Sequence, residues 1–110
     1  MYRILVLMMM LASAPIYAGE WSSYTNVSQF YPHSTTNEKG TIYLKFDEMI
    51  NPGNCSKAGF IALKKSNSLS REILATLLTS ITLGKQVGYY VHGCDAHGFP
   101  ELLHVNMKIQ

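Results

Sequence analysis

Short stretches of alternating hydrophobic and polar residues run along the chain after residue 23 and predict a β-rich fold. The clearest is 41–47, where Ile42, Leu44 and Phe46 share one face and the intervening residues share the other. Alternation, or enrichment in aromatic and β-branched residues, predicts five strands, at 24–31, 41–47, 60–63, 87–92 and 103–109. Pro32 is predicted to end the first strand.

One helix is predicted between the third and fourth strands. Ser68 or Ser70 would cap its start and Gly84 would end it in the left-handed conformation. Six apolar residues recur at helical spacing and are predicted to form one core-facing side: Leu69, Ile73, Leu74, Leu77, Leu78 and Ile81. The order β-β-β-α-β-β is that of a five-stranded OB-fold barrel, and an open five-stranded sheet packed on one helix is the alternative.

The first eighteen residues have the three parts of a signal peptide. Arg3 supplies the positive charge, Ile4 to Ala12 form the apolar core, and Ile16 and Ala18 occupy the −3 and −1 positions of a cleavage site. A membrane anchor is the alternative, but a spanning helix needs ~20 apolar residues. The sequence therefore predicts a signal peptide at 1–18, a single OB-like domain at 19–110, and a secreted or periplasmic product without a membrane span.

The chain has two cysteines, Cys55 and Cys94, which are predicted to form one disulfide in an oxidising compartment. The bond would close a loop of about 40 residues and contribute ~4 kcal/mol in the chain-entropy model. Two free or metal-bound thiols are the alternative.

Charge and motifs argue against several classes of function. The net charge is +2, from nine Lys and Arg against seven Asp and Glu. This excess is too small for a typical nucleic-acid binder. The chain has no G-x-S-x-G elbow, no H-E-x-x-H motif and no glycine-rich phosphate loop. We therefore predict no catalytic residues and no cofactor.

The densest group of possible metal ligands is His92, Cys94, Asp95 and His97. Cys94 is assigned to the disulfide, and the remaining three residues have no recognised ligand spacing. The segment is therefore predicted to be a solvated loop without a metal.

Aromatic residues next to small polar ones favour sugar binding, because a pyranose has an apolar face that stacks on a ring and hydroxyls that need polar partners. The segment from Glu20 to Asn26 combines both kinds, with Trp21, Ser23 and Tyr24. The alternative is that these aromatic residues cover the ends of the barrel.

Three segments resemble a known family. Glu20-Trp21 precedes a serine-containing segment and a strand with Gln29-Phe30, and Tyr43-Leu44-Lys45-Phe46 takes the place of a second strand. The stretch from Ser68 to Val87, followed by Tyr89-Tyr90, matches a helix, a glycine turn and the next strand. In these segments the chain is similar to the B subunits of the subtilase cytotoxin and typhoid toxin type and their short secreted bacterial relatives.

The resemblance implies an OB-fold subunit that forms a ring of five and binds sialylated or related cell-surface glycans. In the full toxins such a ring carries a catalytic A subunit, which would be a further partner here. Ser23 and Tyr90 are the glycan contacts implied by the resemblance, and Tyr24 is a candidate for stacking. The chain differs from the family in lacking a C-terminal extension. Cys55 matches a family cysteine whose usual partner is replaced by Lys45, and Cys94 lies after the fourth strand instead.

The sequence thus predicts a secreted, non-enzymatic glycan-binding module. The alternative is a secreted or periplasmic protein-binding module of the inhibitor or immunity type. A third hypothesis is a small hydrolase with a Ser or Asp beside His92, His97 or His104.

Overall fold

The computed structural model describes residues 19–34 and 40–109. The predicted signal peptide at 1–18 therefore lies outside the described residues. The described chain forms six strands and one helix, in the order β1 (Glu20–Trp21), β2 (Val27–His33), β3 (Thr41–Phe46), β4 (Ile61–Lys64), α1 (Ser70–Leu83), β5 (Val87–Cys94) and β6 (Pro100–Met107).

The six strands form one mixed sheet in the order β1-β5-β6-β4-β3-β2. The β4–β6 pair is parallel, and the other pairs are antiparallel. In strand order the sheet is open, with β1 and β2 at its two edges. These edges are consecutive along the chain, and Thr25 between them exchanges two backbone hydrogen bonds of 2.8 Å with Val87 of β5. The next residue, Asn26, accepts a bond from the N–H of Asp47, just after β3. The N-terminal segment therefore bridges both edges of the curled sheet.

The prediction of a β-rich fold with one helix is confirmed, but the strand count is six rather than five. The predicted first strand, 24–31, corresponds to β2, and the two-residue β1 precedes it. Pro32 does not end β2 but lies inside it, opposite Ile42. Because β2 is paired on one side, to β3, a residue without an N–H is tolerated there.

The core lies between the inner face of the sheet and α1. The alternation predicted for 41–47 is confirmed for its inner face, where Leu44 and Phe46 are buried and Ile42 packs against the core. On the other face, Thr41 and Tyr43 are buried as well, which the alternation did not predict. The predicted inner face of β5 is also confirmed, since Val87, Tyr89 and Val91 are buried. The core cluster comprises Leu44, Phe46, Ile61, Leu63, Ile73, Leu77, Val87, Tyr89, Val91 and Leu102.

The apolar side of α1 is narrower than predicted. Ile73 and Leu77 are buried, whereas Leu69, Leu78 and Ile81 are about half exposed. The buried residues of α1 are Ile73, Leu77 and Ser80, a single stripe of about one residue per turn. None of the helices within the described ranges combines the length and hydrophobicity needed to cross a bilayer.

The helix ends as predicted, but it starts differently. Gly84 adopts φ 67°, which favours glycine, and its N–H donates to the carbonyl of Ile81. At the start, the N-cap residue is Leu69, and no side-chain cap bond forms. Asn67 accepts the N–H of Leu69 instead, and the Ser70 hydroxyl donates to Lys65 O. The predicted serine cap is therefore wrong, because Leu69 takes the N-cap position and the Ser70 hydroxyl bonds to the preceding turn.

The disulfide prediction is confirmed. Cys55 and Cys94 are bonded, with a Cα–Cα distance of 5.6 Å. β5 extends to Cys94, two residues beyond its predicted end, so the bond joins the end of β5 to the loop after β3. In that loop the Asn51 side chain accepts the N–H of Cys55 at 2.8 Å and donates to its carbonyl at 3.0 Å.

Tyr89 combines a core ring with a hydroxyl that reaches the 47–50 loop. Its ring stacks on Phe46 at a centroid distance of 4.0 Å. Its hydroxyl donates to Glu48 O at 2.6 Å and accepts the N–H of Ile50 at 3.2 Å. Burial raises the pKa of Tyr89 to about 12; the Ile50 N–H opposes this rise, and the Glu48 carboxylate adds to it. Tyr89 therefore ties the core to this loop in its neutral form.

Candidate functional site

Three rings form a triangular cluster on the outer face of the sheet at one edge. Trp21 of β1 lies directly opposite Tyr90 of β5, which lies directly opposite His104 of β6. The centroid of Tyr90 is 5.5 Å from that of Trp21 and 5.4 Å from that of His104. Trp21 and His104 are 6.4 Å apart and close to parallel, at 27°. Contacts between aromatic residues on neighbouring strands stabilise such a cluster. Within it, Trp21 remains 48 % exposed.

Gly88 lies beneath the rings next to this cluster. It is two residues before Tyr90 on β5, therefore on the same face, and it is buried. A Cβ at position 88 would lie 3.9 Å from the Trp21 ring and 3.9 Å from the Tyr24 ring. The two rings thus pack over a position that has no side chain. We refer to Trp21, Tyr24, Gly88, Tyr90 and His104 as the Trp21 platform.

Backbone bonds hold the segment between β1 and β2 in place. The N–H of Ser22 donates to Tyr89 O at 2.8 Å, and the Ser22 hydroxyl accepts the N–H of Tyr89 at 3.0 Å. The same hydroxyl donates to Ser23 O at 2.8 Å. Because Thr25 is bonded to β5 as well, the positions of Trp21 and Tyr24 are fixed before any ligand arrives.

The structure brings together two of the three predicted glycan contacts. Tyr24 and Tyr90 are half-buried and belong to the same platform, with Trp21 adjacent to both. Ser23 is exposed in the short loop that joins Trp21 to Tyr24. The hydroxyl of Ser22, in contrast, is engaged by the backbone and is not available to a ligand.

Sequence reasoning missed the parts of the platform that depend on strand pairing. Trp21 is separated from Tyr90 by most of the chain, and the order of residues alone did not place His104 opposite Tyr90. Gly88 gave a partial signal, since a glycine inside a strand pattern often marks a close approach of other groups.

The platform carries positive charge on one side. Lys108 Nζ lies 4.7 Å from the centroid of the Tyr24 ring, a cation–π distance. Lys85 and Lys108 line the groove beside Tyr24. The arrangement can therefore stack an apolar ring face, with imidazole and ammonium groups nearby for hydrogen bonds.

Within the His92–His97 segment, the Asp95 carboxylate bonds to backbone groups of its own turn. Asp95 is buried, and its Oδ1 accepts the N–H of His97 at 3.0 Å and of Phe99 at 2.8 Å. Across residues 19–34 and 40–109, no three His, Cys, Asp or Glu side chains come together in a metal-binding arrangement. The Asp95 carboxylate thus shapes the turn between β5 and β6.

No protein-family model, curated protein or solved structure matches the chain.

Proposed function

We propose that the protein is a secreted glycan-binding module whose Trp21 platform stacks against a sugar ring. The observation that carries this proposal is the half-exposed Trp21 ring, which packs beside Tyr90 and His104 on the outer face of the sheet. A pyranose has a flat apolar face that fits such a ring. Ser23, His104 and Lys108 supply polar groups within or next to the platform.

Rigidity of the platform supports the same proposal. The segment that carries Trp21 and Tyr24 is bonded to β5 at Ser22 and at Thr25. Binding to a preformed surface avoids the entropic cost of ordering its side chains. The disulfide is compatible with the oxidising conditions outside the cytoplasm.

We expect the purified protein to bind a defined set of sugars on a glycan array and Trp21→Ala to lose that binding. The affinity should fall at least ~10-fold, because an exposed aromatic anchor in a binding surface typically contributes most of the energy. Gly88→Val should weaken binding similarly, although it removes no ring, because the added methyl groups displace the Trp21 and Tyr24 rings that lie 3.9 Å from a Cβ at this position. Ser23→Ala should cause a smaller loss of a single hydrogen bond.

Leu83→Ala is the matched control, because it removes an exposed apolar group (61 % exposed) at the end of α1. It should bind like the unmodified protein. A folded protein that binds no glycan, or one whose binding survives both Trp21→Ala and Gly88→Val, contradicts the proposal.

The proposal includes association of several copies into a ring, as the family resemblance implies. The exposed apolar side of α1 supports this part, since large apolar patches on a surface often mark interfaces. Leu69, Leu78 and Ile81 are 50 %, 45 % and 46 % exposed. Several weak sugar sites on one ring would bind a cell surface with high avidity.

We expect light scattering of the purified protein to give a mass several times that of one chain, five-fold for the implied ring. Leu78→Asp should give a monomer, because it places a charge in the apolar side of α1 without touching the core residues Ile73 and Leu77. Lys85→Asp, an exposed change just after the helix, should leave the mass unchanged. A monomeric unmodified protein would rule out the ring.

A further inference from the structure

A second aromatic cluster lies on the outer face of β2, β3 and β4, around Tyr43. The Tyr43 ring is 5.0 Å from Phe99, 5.8 Å from Phe60, and 6.2 Å from Tyr31, measured between centroids. The cluster encloses a shallow cavity of about 230 Å³, which we call the Tyr43 pocket. It is lined by Tyr31, His33, Tyr43, Lys57, Phe60, His97 and Phe99.

Strand alternation explains why these residues meet. Tyr31 and Tyr43 are directly opposite each other on β2 and β3, on the face away from the core. Phe60 immediately precedes β4, and Phe99 immediately precedes β6. The two loops are joined by the bond from the N–H of Lys57 to Gly98 O, at 2.9 Å, and by the disulfide between them.

The pocket has a positive character. Lys57 Nζ lies 5.5 Å from the centroid of Phe99, and Lys45 Nζ lies 5.0 Å from that of Phe60. Two imidazoles, of His33 and His97, are also among the lining groups, and none of the described lining residues is a carboxylate.

The nearby carboxylates are engaged elsewhere. Asp95 accepts two backbone N–H groups in the turn that carries Phe99. Glu101 lies 3.5 Å from Lys64 Nζ. Neither acid forms an ion pair with Lys45 or Lys57 within the described residues.

One polar group of the pocket wall lacks a partner. Nδ1 of His33 is buried and makes no hydrogen bond within the described part of the chain. An unpaired buried group costs free energy. The His33 ring is held between Tyr31 and Tyr43, at 5.6 and 5.8 Å. The imidazole therefore forms part of the aromatic wall of the pocket.

We infer that the Tyr43 pocket is a second binding site, and that it takes a ring-shaped ligand bearing one carboxylate. The aromatic walls contact the ring, and Lys57 with the imidazoles faces the acid group. Two sources share this chemistry: an aromatic acid and an acidic monosaccharide. The site is separate from the Trp21 platform and uses none of its residues, so it does not depend on the proposed function.

The test is an NMR titration of the purified protein with sodium benzoate and, separately, sodium glucuronate. Benzyl alcohol and glucose serve as the neutral counterparts. We expect saturable shifts at the amides of His33, Lys57 and Phe99 with an acid and much weaker ones with its neutral counterpart. Saturation by benzoate alone identifies an aromatic acid, saturation by glucuronate alone an acidic sugar, and saturation by both a site for the shared chemistry.

Tyr31 and Lys57 are exposed, so substitutions at these positions should leave the protein folded. Tyr31→Ala and Lys57→Glu should each weaken acid binding at least ~10-fold, the first through lost ring contact and the second through charge reversal. Lys85→Glu, with the same charge change outside the pocket, should bind normally, and so should Trp21→Ala. Equal binding of acid and neutral ring, no saturation by either acid, or unchanged affinity in Lys57→Glu would overturn the inference.

Discussion

Replacing both cysteines by alanine should lower the free energy of unfolding by ~4 kcal/mol. The disulfide joins residues 39 positions apart, so its loss releases a loop of about 40 residues in the unfolded chain. A domain of this size has a small margin of stability, typically about 5–15 kcal/mol. The double variant should therefore unfold at a much lower urea concentration, measured by circular dichroism.

We expect the loss of the disulfide to act mainly by raising the conformational entropy of the unfolded chain. In the folded state, the Asn51 side chain still holds the backbone of residue 55 through two hydrogen bonds. Asn51→Ala is the matched comparison and should cost about 1–2 kcal/mol, through two hydrogen bonds. Reduction of the unmodified protein should reproduce the result of the double variant. A change below about 1 kcal/mol in the double variant would contradict this account.

Between pH 10 and pH 12 the protein should lose about 2–3 kcal/mol of stability through Tyr89. At pH values below about 10 this phenol is protonated in both states, and its contribution is complete. Above pH 10 the unfolded chain ionises, whereas the folded chain holds the proton until its pKa of about 12. Each pH unit in this window therefore favours unfolding by about 1.4 kcal/mol.

Tyr89→Phe isolates this effect. It keeps the ring that stacks on Phe46 and removes the hydroxyl that bonds to Glu48 and Ile50. The variant should be less stable than the unmodified protein at pH 8, by about 1–2 kcal/mol for a buried hydroxyl that loses two partners. Its stability should fall less steeply above pH 10, and equal slopes in urea titrations would refute the assignment.

The parts of the fold that follow from local patterns could be predicted from sequence. The inner faces of β3 and β5 follow from a period of two residues. The end of the helix follows from Gly84, and the disulfide follows from the presence of two cysteines. β1 could not be predicted, since a two-residue strand has no period of its own. It exists because Trp21 pairs with Tyr90 of a distant strand.

The candidate sites show the same difference between features set by local sequence patterns and features set by strand pairing. Tyr24 could be selected as an aromatic residue for stacking and Tyr90 through the family resemblance, but the contacts of Tyr90 with Trp21 and His104 required knowledge of which strands are neighbours. The Tyr43 pocket could not be predicted as one site, because its rings come from β2, β3 and two loops. Tyr43 is buried although it lies on the outer face, so alternation alone would have assigned it to solvent.

The bridging role of residues 22–26 has a consequence for how the protein reaches its native state. Thr25 finds its partner only when Val87 is present, more than sixty residues later in synthesis. Such long-range pairing is slow, because closing the intervening loop costs conformational entropy before any stabilising contact forms. The N-terminal segment therefore cannot pair with β5 until residue 87 has been made.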